Sequence, residues 1–239
     1  MHLHKGFLAH YGEPDAAHTQ TAHNNLAQHY GVNSQPIFLF LKSFDLASCA
    51  PYNIMHLLFK NMVPNMLLHW TGKFKGLDQG TRNYKLLPAI FAVIGLETAS
   101  CIQYMPYSYV GTLPNIAQDG HLYKAEAYLF WIQYIAPIVL KDWLPVWHML
   151  LLHEIVTMCL KFKLTSDDVE HLDKMVKLWV TQYKKYYYQY LADCLPVCPL
   201  TIHAILHIPS YIWQTGPLWA SWVFVMEQFC GYLLPAVKN

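Results

Sequence analysis

With 239 residues the chain is long enough for one large domain with a sizeable core, and a make-up of 54% apolar, 15% aromatic and 13% charged residues requires compact folding, or a membrane or partner to cover it. Its 16 Lys and Arg against 15 Asp and Glu speak against an autonomous DNA binder, which needs clustered positive charge to neutralise phosphates; Lys60, Lys73, Lys75, Arg82 and Lys85 form a loose scatter that reads as a solvated face. A spanning helix needs about 20 predominantly apolar residues; the run 128–140 stops at Lys141-Asp142, 143–152 contains Pro145 and His148, and 218–234 contains Glu227 and Gln228, so buried core helices are expected and no membrane.

The first ten residues lack the long apolar stretch of a cleavable signal, and an intracellular protein is expected. Residues 1–35 form a polar arm, within which 16–29 reads as a polar helix closed by Gly31, and 36–239 are expected to make a single helical domain. Pro36-Ile-Phe-Leu-Phe-Leu41 is a buried strand or a helical turn, which periodicity does not separate. Between 54 and 70 the apolar positions recur at helical spacing and Pro64 interrupts them, which predicts a buried, kinked helix. Residues 71–83, with Gly72, Gly76 and Gly80, read as turns, and 86–96 as a second core helix with Pro88 in its first turn.

The segment 100–120 is the longest irregular one, and such loops are more often functional or mobile than plain connectors. Two apolar helices, 121–140 and 145–163, follow it. The next helix carries the clearest signal: Thr165 as N-cap, Asp168 three residues on, Asp167 and Glu170 at the positive end of the dipole, and a stripe of Val169, Leu172, Val176, Trp179 and Tyr183 running on to Tyr190. Tyr186-Tyr-Tyr188 is either core, the ordinary meaning of helix-spaced aromatics, or a stacking platform for bases. A short helix at 200–209 and a last one at 218–234 complete a mainly α, multi-helix globular fold without a convincing strand pattern or internal repeat.

Six cysteines, Cys49, Cys101, Cys159, Cys194, Cys198 and Cys230, include no Cys-x-x-Cys pair, so reduced structural thiols are expected; Cys194 and Cys198 would be half of a zinc site lacking its other half. His203 and His207 stand four residues apart on one helix face, the geometry of two imidazoles sharing a metal, with no third ligand beside them; the ordinary alternative is a hydrogen-bonded core or interface pair. His153-Glu154 begins a zinc-hydrolase motif that Thr157 breaks. Glu227 lies in the apolar stretch Trp219-Ala-Ser-Trp-Val-Phe-Val-Met-Glu-Gln-Phe-Cys-Gly231, where an isolated carboxylate is expensive unless paired or coordinated. It is either a functional acid or a helix-surface glutamate beside Gln228. Neither a Gly-x-Ser-x-Gly elbow nor a Gly-x-x-x-x-Gly-Lys phosphate loop is present, and no small-molecule ligand is evident.

Pro51-Tyr-Asn-Ile-Met-His56 runs into Leu57-Leu-Phe-Lys-Asn-Met-Val-Pro-Asn65 and Trp70-Thr-Gly-Lys-Phe-Lys-Gly-Leu-Asp78; near the other end stand Cys198-Pro-Leu-Thr-Ile-His-Ala-Ile-Leu-His207, Gly216-Pro-Leu-Trp219 and Met226-Glu-Gln-Phe-Cys-Gly231. This ordered set resembles the signature of CACTA-type (En/Spm-like) transposases of fungal genomes. Phe130-Trp131, Pro137 and Tyr187-Tyr-Gln-Tyr190 are similar to that family's middle region in order and spacing, so the resemblance covers 7–238. It implies an RNase-H-like DNA transposase, in which three acidic residues and two Mg²⁺ ions hydrolyse and rejoin phosphodiester bonds.

By that resemblance Glu227 is the third acid, and the residue that would hold Mg²⁺ if upstream acids were supplied, while Asn53 and His56 are vestigial catalytic positions of an Asp-x-x-His element. The first two acids would lie upstream of Met1. The family's Asp is Asn53 here, a Pro is Val225 and an Arg is Gln228; the changes remove a carboxylate, a backbone constraint and a phosphate-pairing cation. The resemblance thus implies a degenerate C-terminal fragment lacking most of the catalytic sheet, without a cofactor or strand-transfer activity of its own, nuclear, with DNA or an intact transposase as partner. A helical protein–protein interaction module derived from a transposon is the alternative. The family's chemistry implies that the Asn53–His56 turn lies near Glu227.

Overall fold

The computed structural model describes residues 4–41, 43, 45, 52–77, 84–106, 111–144 and 146–237. The expected turns at 78–83, together with Cys49, Pro51 and Pro145, lie outside them. Every regular element among the described residues is a helix, as the absence of an alternating pattern leads one to expect. The chain divides into two compact units, Met1–Pro51 and Tyr52–Asn239.

In the first unit α1 (His4–Asp15) packs on α2 (Gln20–Tyr30). Thr19 caps α2 by accepting from the Ala22 N–H at 3.2 Å, and Gly31, at φ 70°, closes it with a bond to the Ala27 carbonyl. Tyr30 ties the pair together: its hydroxyl donates to Glu13 at 2.7 Å and its ring stacks on His10. The stretch that could be strand or turn is a 3₁₀ turn, Ile37–Phe40. It is not buried, since Phe40 is 80% exposed.

The second unit opens with a helix that changes type. Met55–Met62 is π-helical and α3 (Val63–Trp70) continues it. The same happens further on, where α5 (Ala125–Phe130) passes through a π segment, Trp131–Ile135, into α6 (Ala136–Val139). In both cases a proline, Pro64 or Pro137, stands two residues beyond the π segment. A proline removes an N–H and crowds the carbonyl one turn back, and a widened turn just before it takes up both defects. The expected kink at Pro64 is therefore a π-to-α switch in a continuous helix.

Between these, α4 (Pro88–Cys101) starts with its proline in the first turn, and it runs past the expected end at 96. After α7 (Val146–Cys159) comes α8 (Ser166–Tyr183), which has the full capping box: Thr165 Oγ1 accepts from the Asp168 N–H at 3.2 Å and Asp168 accepts from the Thr165 N–H at 2.9 Å. The bond from the Thr165 backbone, then the bond from Lys161, hold the Asp168 carboxyl down at about 2. A carboxylate held low stabilises above its unfolded value, near 3.8, and loses that effect as pH falls towards 2. Asp168→Asn should thus lower the melting temperature at neutral pH, and melting curves at falling pH should converge with those of the unaltered protein between pH 4 and 2.

The chain closes with α9 (Leu200–Ile205), α10 (Ile208–Thr215) and α11 (Phe224–Val237). Pro209 does not end the short helix; it sits in the first turn of α10, where its missing N–H is harmless. Leu58, Phe59, Met62, Trp70, Trp131, Ile132, Leu152, Ile155 and Leu172 are wholly buried where the π-helical and α-helical faces of the second unit meet. At the centre of one end, His69 stacks on Phe74 and donates or accepts at 3.0 Å with the Tyr183 hydroxyl, and the Trp70 indole N–H reaches the Tyr187 hydroxyl at 3.2 Å. Tyr187 is therefore core, not a stacking platform for bases.

One expectation fails in an instructive way. The stretch 218–234 is not a buried core helix. Its entrance is anchored, with Leu218 buried and Trp222, Val223 and Phe224 packed on the core, but along α11 Val225, Met226, Phe229, Tyr232, Leu233, Leu234 and Val237 face outwards. Apolar periodicity reports a wish to be covered, and it does not say that the same chain supplies the cover. Among the described residues no helix is long and apolar enough to cross a membrane.

Candidate functional site

Asn53 starts the π-helical segment. Its side-chain oxygen accepts from the Met55 N–H at 2.9 Å, and its carbonyl from the Leu57 N–H at 2.9 Å. This is a cap, and Asn and Asp make it about equally well, so an amide in place of a carboxylate leaves the local fold intact. The wide turn that follows leaves Met55, Leu57, Leu58 and Phe59 buried and turns His56 to solvent. Asn61 donates its side-chain N–H to the His56 carbonyl, 2.6 Å away, which pins the turn from which the imidazole projects.

Glu227 comes from the first turn of α11, where a carboxylate suits the positive end of the helix dipole. The packing of Phe224 against Phe59, with ring centroids 6.3 Å apart, sets that turn beside the π helix. Glu227 Oε1 lies 3.4 Å from His56 Nε2. Both side chains are 53% exposed, so the case for Glu227 from the cost of burial does not hold: the residue sits in an apolar sequence but at the surface. The structure brings His56 and Glu227 together at the end of the turn that Asn53 caps.

The pair supplies one imidazole and one carboxylate. Among the described residues no group of three or more His, Cys, Asp or Glu is placed to hold a metal ion. Mg²⁺ asks for near-octahedral oxygen ligands, and one carboxylate beside a nitrogen donor does not by itself meet that demand. What the arrangement can do alone is orient an imidazole by a carboxylate at the surface, the base and the orienting acid of a relay without its nucleophile.

The other candidates fall in other places. His203 and His207 approach each other to 3.1 Å between their Nε2 atoms, with rings at 78°. His207 is held below its ordinary value, first by partial burial and then by His203. His153 bonds the Gln133 carbonyl at 3.1 Å, a structural contact between helices. The described cysteines are free thiols, and complete burial pushes Cys159 up to about 12, so it is inert. A cleft of about 410 Å³ lies between α3, α4 and the 116–121 turn, but two of its polar groups are already engaged: the Thr71 hydroxyl with the Leu67 carbonyl and the Tyr128 hydroxyl with the Gly120 carbonyl.

One residue that sequence reasoning passed over is His69. It is fully buried, and an isolated histidine in an apolar helical stretch carries no local mark of the tyrosine that meets it from α8. No protein-family model, no curated protein and no solved structure matches the chain.

Proposed function

We propose that this chain is the helical C-terminal part of a CACTA-type DNA transposase core that has lost its own strand-transfer activity. The reading rests on the ordered motifs along the chain, and the observation that carries it is the approach of His56 and Glu227. They come from the first and the last of the quoted motifs, most of the second unit lies between them in sequence, and they meet at 3.4 Å. In an RNase-H-like active centre these two positions belong together. The lost activity follows from the donor count: Asn53 is engaged as a cap and carries no charge, and Glu227 is the single carboxylate of the pair. Two-metal phosphoryl transfer needs several. On this reading Mg²⁺, DNA, an intact transposase and a nuclear location are matters of the assembly in which the chain works, with further carboxylates supplied by another part of it.

Incubation of supercoiled plasmid with the purified chain and Mg²⁺ or Mn²⁺ should leave the plasmid intact. Nicking that requires the metal and disappears in Glu227→Gln would overturn the proposal.

A second reading, a transposon-derived module that binds another protein, is favoured by one observation. Val225, Met226, Phe229, Tyr232, Leu233, Leu234 and Val237 of α11 face outwards, while its entrance is firmly seated. Co-purification with an intact transposase separates a retained module from an idle remnant.

A further inference from the structure

We infer that His203 and His207 form a two-imidazole site for a first-row divalent transition ion, with Cu²⁺ the preferred occupant. This inference is independent of the transposase reading and of the His56–Glu227 pair.

The backbone that carries the two rings is fixed from beneath. Ile202, Ala204, Ile205, Ile208 and Ile212 are buried, while His203 is exposed and His207 half-buried on the outer side of the same turn. Between them the turn tightens: the Leu206 N–H bonds the His203 carbonyl at 3.1 Å and the His207 N–H the Ala204 carbonyl at 3.0 Å, each three residues back, and α pitch resumes where the Tyr211 N–H bonds the His207 carbonyl at 3.0 Å. The 3.1 Å approach of the two Nε2 atoms shows that both imidazoles nevertheless lie on one side.

The separation of the nitrogens fits a chelate. Two imidazole nitrogens each about 2.0–2.1 Å from a shared ion, the zinc–imidazole distance, and 3.1 Å from one another subtend an angle of about 98°. That lies between the square-planar and the tetrahedral bite, and the rings must turn their lone pairs off the Nε2–Nε2 line to meet at a shared ion. Imidazole donors select Cu, Ni and Zn over Mg, and at a shared site the order of affinity places Cu²⁺ first. With two protein donors the remaining positions fall to water.

The protons balance without a co-reactant. In the metal-free pair one Nε2–H donates to the other Nε2. An ion needs both lone pairs, so the donor ring moves its proton from Nε2 to Nδ1 through solvent, and both rings coordinate as neutral tautomers with no net release. Partial burial, and then the neighbouring His203, lower His207, which favours at that ring the neutral form that a metal requires.

The chain has 14 histidines, so the test is one of differences. The full chain is titrated with Cu²⁺ by calorimetry, and the copper signal is read by electron paramagnetic resonance for its nitrogen couplings. His203→Ala, His207→Ala and, as control, His171→Ala on the exposed side of α8 are compared. One equivalent of Cu²⁺ showing two coupled imidazole nitrogens is expected. Each of the two variants should weaken it by about tenfold to a hundredfold, at least the loss known for a metal site deprived of a supporting group, while the control and an excess of Mg²⁺ leave it unchanged. Far-ultraviolet circular dichroism confirms that the variants fold. Unchanged affinity and couplings in both variants overturn the site, and so does a loss confined to one of them, because a chelate needs both rings.

Discussion

Tyr183→Phe should destabilise the protein strongly although it removes a single oxygen atom. The Tyr183 hydroxyl donates to the Val197 carbonyl at 2.7 Å, and with its one proton committed there it receives the His69 Nε2–H at 3.0 Å. All three residues are buried, so water does not replace the lost partner. Each deserted buried donor or acceptor costs about 1–3 kcal/mol, and with two of them affected the expected loss is about 2–6 kcal/mol. The rings would hold their places, since Tyr183 also packs edge-on to His69 and beside Trp179 and Tyr187. Urea unfolding followed by tryptophan fluorescence measures the effect as a shift of the midpoint with unchanged slope. Tyr104→Phe, at a residue 83% exposed, is the control and should shift nothing. A Tyr183→Phe midpoint equal to that control would mean that the hydroxyl link contributes nothing to the fold.

The same cluster shows what the sequence could and could not disclose. The start of α8 and its buried stripe as far as Tyr183 were legible, because their signals are local, a capping pair three residues apart and apolar residues at helical spacing, whereas Tyr190, read as the end of that stripe, is 66% exposed beyond the helix. That stripe already marked Trp179 and Tyr183 as core. Their partner His69 was not legible, since nothing near it in sequence distinguishes a histidine awaiting a distant hydroxyl from one awaiting solvent. The π segments were hidden for a related reason. Pro64 announced a defect and Pro137 passed as part of a plain apolar helix, but a kink, a break and a widened turn are all answers to a proline, and packing chooses among them. The first helix, α1, was missed because Gly6, Gly12 and Pro14 argue against it.

The candidate site divides along the same line. The proximity of His56 and Glu227 has no trace in composition or spacing; it was anticipated from the resemblance alone. The surface position of Glu227 was one of two readings left open, because α11 is apolar on nearly every side, and hydropathy registers what a helix prefers to touch, not what is there to touch. By contrast the His203–His207 pair was visible as a spacing, and the structure added the 3.1 Å separation that makes the spacing chemically usable.

Gly95→Ala should also destabilise, against the direction that helix propensity alone would give. Gly95 lies inside α4, where alanine is ordinarily better by about 1 kcal/mol. Here a Cβ would collide with Asn115 Oδ1 and come within 2.7 Å of the Ala117 Cβ. Asn115 cannot swing aside cheaply: its side-chain oxygen accepts from the Ala117 N–H at 2.9 Å and the Gln118 N–H at 3.3 Å, and its carbonyl accepts from the Asp119 N–H at 2.7 Å. The turn is anchored on both sides by buried Leu113 and Ile116 and by the Tyr123 hydroxyl, which donates to the Pro114 carbonyl at 2.9 Å. Overpacking against such a fixed neighbour costs about 1–3 kcal/mol and sometimes more, which exceeds the propensity gain. Gly231→Ala makes the same chemical change in α11, where a Cβ would meet nothing within 4 Å, and there propensity should prevail, with helical ellipticity held or raised. Thermal melts of the two variants should therefore differ in sign, Gly95→Ala melting lower and Gly231→Ala no lower than the parent. If both are neutral, the loop 111–119 yields to α4, and the close approach through Gly95 does not hold it.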